Sequence, residues 1–175
     1  NATYYKYEYT DLQVQLFDAA IIQFSTFNAG AVETEGFEAD LLWYTEIPGL
    51  SLRGQFAWTD ATNTGDFITP GGENLKGTKR SYSPEIAGSF GLSYDSGLSN
   101  GWRYNISTDA RYSDEYGWGT YIDSPMQDSF WINDVALSLY SEDGKHSFNL
   151  IGRNLGDEIV IITGGAIPGR ISTQT

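Results

Sequence analysis

The residue types that most often perform chemistry are few in this 175-residue sequence. His146 is the single histidine and follows the turn sequence EDGK, and the chain has no cysteine. A general base or a zinc site needs further groups beside it, so we interpret His146 as a solvated turn residue. Asp114 and Glu115 are adjacent, but neighbouring residues of a strand point to opposite faces. Their carboxyl groups therefore do not predict a glycosidase pair, and a solvated loop edge is favoured.

The segment TPGGENLKGTKR (69–80) has only a superficial likeness to a phosphate-binding loop. It lacks the Gly-Lys-Ser/Thr step, and no helical pattern follows that would supply a helix N-terminus. Asp60, Asp66 and Glu73 are weak candidates for binding a cation in this region. We therefore expect no catalytic residues, no metal site and no cofactor, and the predicted protein is not an enzyme.

Composition limits the remaining classes of function. Ten Lys and Arg against 23 Asp and Glu give a net charge of −13, which argues against nucleic acid as a partner because phosphate contacts need clustered cations. Aromatic residues make up 15% of the chain and favour strands. The most apolar run, EIVIITGGAI (158–167), is far shorter than the roughly 18 to 20 residues of a membrane helix. An all-β protein is predicted.

The stretch WRYNISTDARY (102–112) indicates a strand with two very different faces. Trp102, Tyr104, Ile106 and Tyr112 share one parity, whereas the other parity is polar. Eleven residues at about 3.4 Å each, tilted by about 40°, rise roughly 28 Å, which matches the apolar band of a transmembrane barrel with aromatic residues at its edges. Alternation alone also suits a soluble sheet. The length and the terminal aromatics favour the membrane.

The connections between predicted strands alternate between short and long. Segments 46–50, 95–101 and 141–145 have the Gly, Pro, Asp and Ser residues of tight turns, whereas 63–84 and 117–129 exceed ordinary hairpin loops. Bacterial outer-membrane barrels have short periplasmic turns and long extracellular loops. A soluble β-sandwich binding module remains an alternative, but its loops have no reason to segregate in this way.

Four segments carry motifs whose order along the chain matters more than any one of them. They are 28–61 with Gly36, Phe37, Glu38, Pro48, Gly49 and Leu50; 75–95 with Gly77, Arg80 and Pro84; 148–158 with Asn154, Leu155 and Asp157; and IPGR at 167–170. Together they resemble the carboxy-terminal β-barrel of TonB-dependent receptors, and the resemblance covers essentially the whole chain. The plug domain, the TonB box and a terminal aromatic residue of that family are absent, so a fragment is expected.

The resemblance implies that residues 1–175 are the carboxy-terminal part of an antiparallel transmembrane β-barrel of about 22 strands. This segment would contribute about eight strands. The first strand is irregular, because Tyr5, Tyr7 and Tyr9 share one parity while Leu12 and Leu16 share the other, which requires a bulge or a strand end. The predicted strands are 3–17, 33–45, 50–62, 84–95, 101–117, 130–141, 146–160 and 170 onward.

The implied function is an outer-membrane receptor and transporter for TonB-coupled uptake of a scarce nutrient, such as a metal chelate (a siderophore), a vitamin or a glycan. Its partners would be outer-membrane lipid, the TonB, ExbB and ExbD proteins, and the small-molecule ligand. A passive outer-membrane porin is a further alternative. Ligand contacts are expected from the loop residues Phe67, Trp118, Tyr121 and Phe130. The residues expected to face the lumen are Arg53, Arg103, Asp109, Arg111, Asp134 and Arg153.

Overall fold

The computed structural model describes residues 1–18, 21–119, 125–161, 163–167 and 170–174. Every regular element in these ranges is a strand, and the predicted all-β, antiparallel fold is confirmed. No helix in the described part of the chain is long and apolar enough to cross a membrane. The strands are β1 (Ala2–Tyr9), β2 (Gln13–Asp18), β3 (Gln23–Asn28), β4 (Val32–Tyr44), β5 (Leu50–Asn63), β6 (Ile86–Gly97), β7 (Arg103–Ser113), β8 (Tyr116–Gly117), β9 (Met126–Gln127), β10 (Phe130–Tyr140), β11 (Ser147–Gly152), β12 (Thr163–Ile167) and β13 (Arg170–Gln174).

Seven strands form one open antiparallel sheet in the order β1-β4-β5-β6-β7-β10-β11. The remaining strands form three two-stranded ladders, β2-β3, β8-β9 and β12-β13. Tight turns join β4 to β5, β6 to β7 and β10 to β11 at one end of the sheet. Gly49 in the first of these turns has φ +84°, and a Cβ there would collide with the backbone carbonyl of Asp95. Glycine is therefore required at that position.

Three predicted strands differ from the observed ones. The strand predicted at 3–17 is broken at Asp11, whose φ is +56°, and residues 23–28 form an unpredicted strand that pairs with β2. The strand predicted at 101–117 ends at Ser113. The one predicted at 146–160 ends at Gly152, because Asn154 and Asp157 have positive φ values that an extended strand excludes. The strand predicted from 170 onward is observed as β13, and it pairs with β12, which was not predicted.

One face of the sheet, here called the apolar face, is hydrophobic across its strands. A single register row runs Leu50, Tyr94, Ile106, Leu137 and Leu150 across five strands. Large side chains on this face remain exposed: Leu41 is 58% exposed and Ile106 43%. The face also includes Phe37, Ala39, Leu41, Trp43, Leu52, Phe56, Trp58, Phe90, Leu92, Tyr104, Trp131, Val135, Leu139 and Phe148.

Aromatic residues mark both ends of the apolar face. Tyr4, Phe37 and Trp58 pair across β1, β4 and β5 towards the long-loop end. Tyr112 and Trp131 continue this edge with ring centroids 5.0 Å apart. At the short-turn end, Tyr94 and Tyr104 have ring centroids 6.1 Å apart. Trp43, opposite Leu52, and Phe148, opposite Leu139, lie towards the same end of the sheet. Such paired aromatic edges are typical of membrane barrels.

The buried hydrophobic cluster lies above the sheet and not within it. Leu16, Ala29, Phe67 and Leu75 are buried together, and Leu12, Val14 and Phe27 pack against them. The residues come from the β2-β3 hairpin with its flanks and from the connection 64–79, which together are called the loop cluster. Backbone hydrogen bonds from Thr64 and Gly65 to the Ala31 carbonyl, at 2.9 and 3.0 Å, join the two segments.

Candidate functional site

The opposite side of the sheet, called the polar face, brings charged residues from β5, β7 and β10 together. Arg53 pairs with Gly91 in the register, Gly91 with Asp109, and Asp109 with Asp134. The next row up contains Gln55, Ser89 and Arg111. These residues come close because three strands present the same parity, and not because they are near in sequence.

Arg53 and Asp109 form an ion pair that crosses the strand lying between them. The Arg53 Nε donates a hydrogen bond to Asp109 Oδ1 at 3.0 Å. The guanidinium passes over Gly91, where a Cβ would lie 2.7 Å from Asp109 Oδ1 and would also collide with the Arg53 side chain. The contact therefore requires glycine in β6, since any other residue occupies the space that the arginine uses.

Two further arginines of the polar face are also paired with carboxylates. Arg111 Nη2 lies 2.9 Å from Asp134 Oδ2, and the Asn154 backbone N–H donates to Asp134 Oδ1 at 2.8 Å. Arg103 lies 3.5 Å from Asp95, which also accepts a hydrogen bond from Asn105 at 2.8 Å. The polar face is thus rich in hydrogen-bonding groups while its cations are compensated locally. Such pairs are partly exposed and contribute little stability individually.

A cavity of about 610 Å³ opens on the polar face towards the long-loop end. Its lining combines carboxylates, amides, hydroxyls, a guanidinium and an aromatic ring, from Glu38, Asp40, Gln55, Ser89, Arg111 and Phe130. A second depression of about 560 Å³ lies beside it and includes Arg53, Asp109 and Asp134. The charged and polar lining residues of both depressions belong to the polar face. A small polar molecule can be bound there by converging hydrogen bonds.

A family model described as TonB dependent receptor-like, beta-barrel matches residues 1–155. The chain belongs to this family. The resemblance predicted from the sequence is therefore confirmed. Proteins of this family are receptors and transporters of the Gram-negative outer membrane and not enzymes. A search of curated proteins gave no match.

The predicted ligand-contacting residues of this receptor lie in three different settings. Phe130 lines the cavity on the polar face. Phe67 is only 6% exposed and packs within the loop cluster, with its ring centroid 6.4 Å from that of Phe27. Trp118 is 5% exposed, and its Nε1 has no hydrogen-bond partner among the described residues. Phe67 and Trp118 are thus enclosed instead of presented at the surface, and Tyr121 lies outside the described residues.

Five of the six residues expected to face the lumen share the polar face: Arg53, Arg103, Asp109, Arg111 and Asp134. Arg153 follows the end of β11, is exposed, and forms no ion pair with the described residues. That the polar face lines a lumen stays a prediction. The register adds Gly91 to the residues that matter on this face, because it leaves room for the Arg53–Asp109 contact. The sequence alone does not reveal this role, since it depends on which residues lie beside Gly91 on the neighbouring strands.

Two of the three weak cation candidates pair with lysines, whereas Glu73 forms no ion pair with the described residues and its Oε2 has no hydrogen-bond partner among them. Asp60 lies 3.0 Å from Lys79, and Asp66 lies 3.0 Å from Lys76. Lys76 and Asn74 together lower the pKa of the Asp66 carboxyl. Within the described ranges, no group of three or more His, Cys, Asp or Glu side chains is arranged to hold a metal ion.

Arg80 is a half-buried cation of the long connection. The sequence identified it only as part of the matching segment 75–95 and predicted no contact for it. Burial lowers the pKa of its guanidinium, which donates a hydrogen bond to Asn63 Oδ1 at 3.3 Å. Two residues further on, the Tyr82 backbone N–H donates to the Gly117 carbonyl at 2.8 Å. The Arg80 contact ties the connection to the end of β5, and the Tyr82 contact joins it to the connection after β7.

Proposed function

We propose that the receptor to which this chain belongs imports a scarce nutrient across the outer membrane, driven by TonB, ExbB and ExbD. The sheet forms part of the barrel wall in this proposal. The observation that supports it is that the strand register separates two faces: an exposed apolar face with aromatic edges, and on the other side a polar face with paired charges. Lipid contacts the first face, and the second borders the transport path.

The polar face then has two roles in transport. Its cavity, with Phe130 at one side and Glu38 at the other, offers both hydrogen-bonding groups and an apolar ring to a ligand. The ion pairs Arg53–Asp109 and Arg111–Asp134 keep the wall charges satisfied as ligand and water pass. A plug domain and the TonB contact are supplied by parts of the protein other than residues 1–175.

The candidate nutrients are a metal chelate such as a siderophore, a vitamin or a glycan. The experiment compares three strains of the host bacterium: one lacking the gene for the full receptor, one lacking TonB, and the wild type. Each is grown with an iron chelate, cobalamin or an oligosaccharide as the limiting nutrient. We expect the receptor deletion to impair growth on one nutrient, and the TonB deletion to impair growth on that nutrient as well.

Restoring the receptor gene should rescue growth only where TonB is present. A defect in the receptor strain that the TonB strain does not share would contradict energised uptake. Steady ion conductance by the purified full-length protein in a planar bilayer would then identify it as a passive porin. The soluble β-sandwich alternative requires that the protein stay in solution without detergent. That result would contradict the membrane placement.

A further inference from the structure

Strand β1 places three tyrosines in a row on the polar face. Tyr5, Tyr7 and Tyr9 are opposite Gly36, Thr34 and Val32 in the register with β4. Their ring centroids are 5.5 Å apart between Tyr5 and Tyr7 and 6.2 Å apart between Tyr7 and Tyr9. The row, here called the tyrosine ladder, ascends from the middle of β4 to the long-loop end.

The lowest ring of the tyrosine ladder lies flat on the sheet. A Cβ at Gly36 would collide with the ring and hydroxyl of Tyr5, so this ring covers the glycine of β4. The Tyr5 hydroxyl reaches the Thr59 Oγ1 of β5 at 3.0 Å. Tyr7 is 53% exposed and Tyr9 is 50% exposed. The ladder therefore has a fixed base and two rings with surface available for contact.

The residues beside the tyrosine ladder are uncharged above its base, where Glu38 follows Gly36 on the same face. Thr34, Thr59 and Ala61 extend the polar face beside it. The nearby charged residues Lys6 and Glu33 share the opposite parity and pair with each other at 2.9 Å. An anionic chelate would find no cation on this patch, whereas a neutral ring with hydroxyl groups meets aromatic faces and hydroxyls that donate and accept hydrogen bonds.

We propose that the tyrosine ladder is a stacking path for a neutral oligosaccharide, leading from the long-loop end towards the cavity on the polar face. A pyranose presents an apolar C–H face to a tyrosine ring and hydroxyls at its edge. Glu38, two residues after Gly36 on the same face, lines that cavity, so the base of the ladder adjoins it. The inference rests on the proposed function, because it takes the polar face as the transport path.

The test is calorimetric titration of the purified full-length receptor in detergent with maltohexaose, cellohexaose, xylohexaose, mannohexaose and laminarihexaose. We expect at least one of them to bind. Tyr7→Ala and Tyr9→Ala should each weaken that binding about tenfold, as expected from losing one aromatic contact. Tyr7→Phe, which keeps the ring, should change the affinity less than threefold.

Tyr4→Ala is the matched control, because Tyr4 is an exposed tyrosine of the same strand on the apolar face. It should leave the affinity unchanged. Each variant is checked for folding by heat-modifiable gel mobility, and variants that misfold are replaced by Tyr7→Leu and Tyr9→Leu. The proposal is overturned if none of the five sugars binds to the folded receptor, or if binding is indifferent to both ladder positions.

Failure of this inference differs from failure of the proposed function. If growth on an iron chelate or cobalamin requires both the receptor and TonB while no sugar binds, energised uptake stands and the ladder proposal falls. If growth on an oligosaccharide requires the receptor but not TonB, energised uptake falls, and the titration still decides the role of the tyrosines.

Discussion

The seven-stranded sheet and the loop cluster above it use hydrophobic residues in opposite ways. In the sheet, residues such as Leu41, Phe90 and Leu150 lie on the apolar face and remain exposed. In the loop cluster, Leu16, Phe67 and Leu75 are buried against one another.

A water-soluble β protein has the reverse arrangement, with its core between sheets and polar loops around it. The contrast indicates that each region has its own apolar environment. The loop cluster makes its environment from its own side chains, whereas the proposed environment of the sheet is lipid. Substitutions in the two regions should therefore have separable effects, and the following four are ordered from the largest expected effect to the smallest.

Phe67→Ala should destabilise the loop cluster by about 3 to 5 kcal/mol, because it leaves a cavity where a buried ring stood. The sheet should be unaffected. Limited proteolysis of the full-length receptor measures how readily the loops open, and heat-modifiable gel mobility measures whether the barrel is folded. Ile68→Ala is the control, since the neighbouring Ile68 side chain is exposed. Equal protease sensitivity of the two variants would show that the cluster is not an independent core.

Ile106→Arg should impair folding by about 2 to 4 kcal/mol, the cost of a cation at the centre of the lipid-facing side of a barrel. Asn105→Arg should cost much less, because residue 105 is on the polar face beside Asp95. Ile106→Trp should be accepted by lipid, whereas a packed protein core would resist it by overpacking. The measurement is the fraction of receptor folded into vesicles. Equal folding of the two arginine variants would contradict the assignment of the faces.

Gly91→Ala should destabilise the sheet by about 1 to 3 kcal/mol through overpacking, because the new methyl group displaces Arg53 from Asp109. Combining it with Arg53→Ala should recover part of that loss. Gly54→Ala is a matched control within β5, where a Cβ approaches only the Ser89 carbonyl at 3.9 Å. Urea unfolding of the receptor in vesicles measures the midpoints. An unfolding midpoint unchanged by Gly91→Ala would mean that Arg53 can reach Asp109 without passing over residue 91.

The Asp66–Lys76 pair should give the loop cluster a small dependence on acid. Lys76 and Asn74 lower the pKa of Asp66 in the folded state. The stabilisation is therefore complete above the unfolded pKa of about 3.9 and is lost as the pH falls through the lower folded value. As the pH falls through this range, amide hydrogen exchange of residues 64–79, corrected for its intrinsic pH dependence, should become faster. Asp66→Asn should abolish this response, and a response that persists would assign it to another acid.

The strands with clean alternation and flanking turn residues could be predicted closely from sequence. β4, β5, β6 and β10 begin and end within two residues of the predicted bounds. The parity change between Tyr9 and Leu12 also indicated the strand end that Asp11 provides. Local periodicity suffices in these places because each strand pairs with its sequence neighbour.

Other features depend on distant residues and were not predictable in the same way. The sequence QFSTFN has little apolar periodicity and becomes β3 only because β2 pairs with it. Phe67 was expected at a ligand surface, since an aromatic residue in a long loop has no local mark of burial. The Arg53–Asp109 pair joins residues 56 positions apart, and only the register through Gly91 reveals it.

The order of strands in the sheet has a consequence for how the wall assembles. From β5 to β7, each strand pairs with the one that precedes it in the chain, and β10 and β11 extend the sheet beyond β7. Pairings between near neighbours close short loops and favour rapid folding. The step from β1 to β4 is longer, but the β2-β3 hairpin shortens it by folding on itself. The sheet can therefore grow hairpin by hairpin, with each completed strand serving as the template for the next.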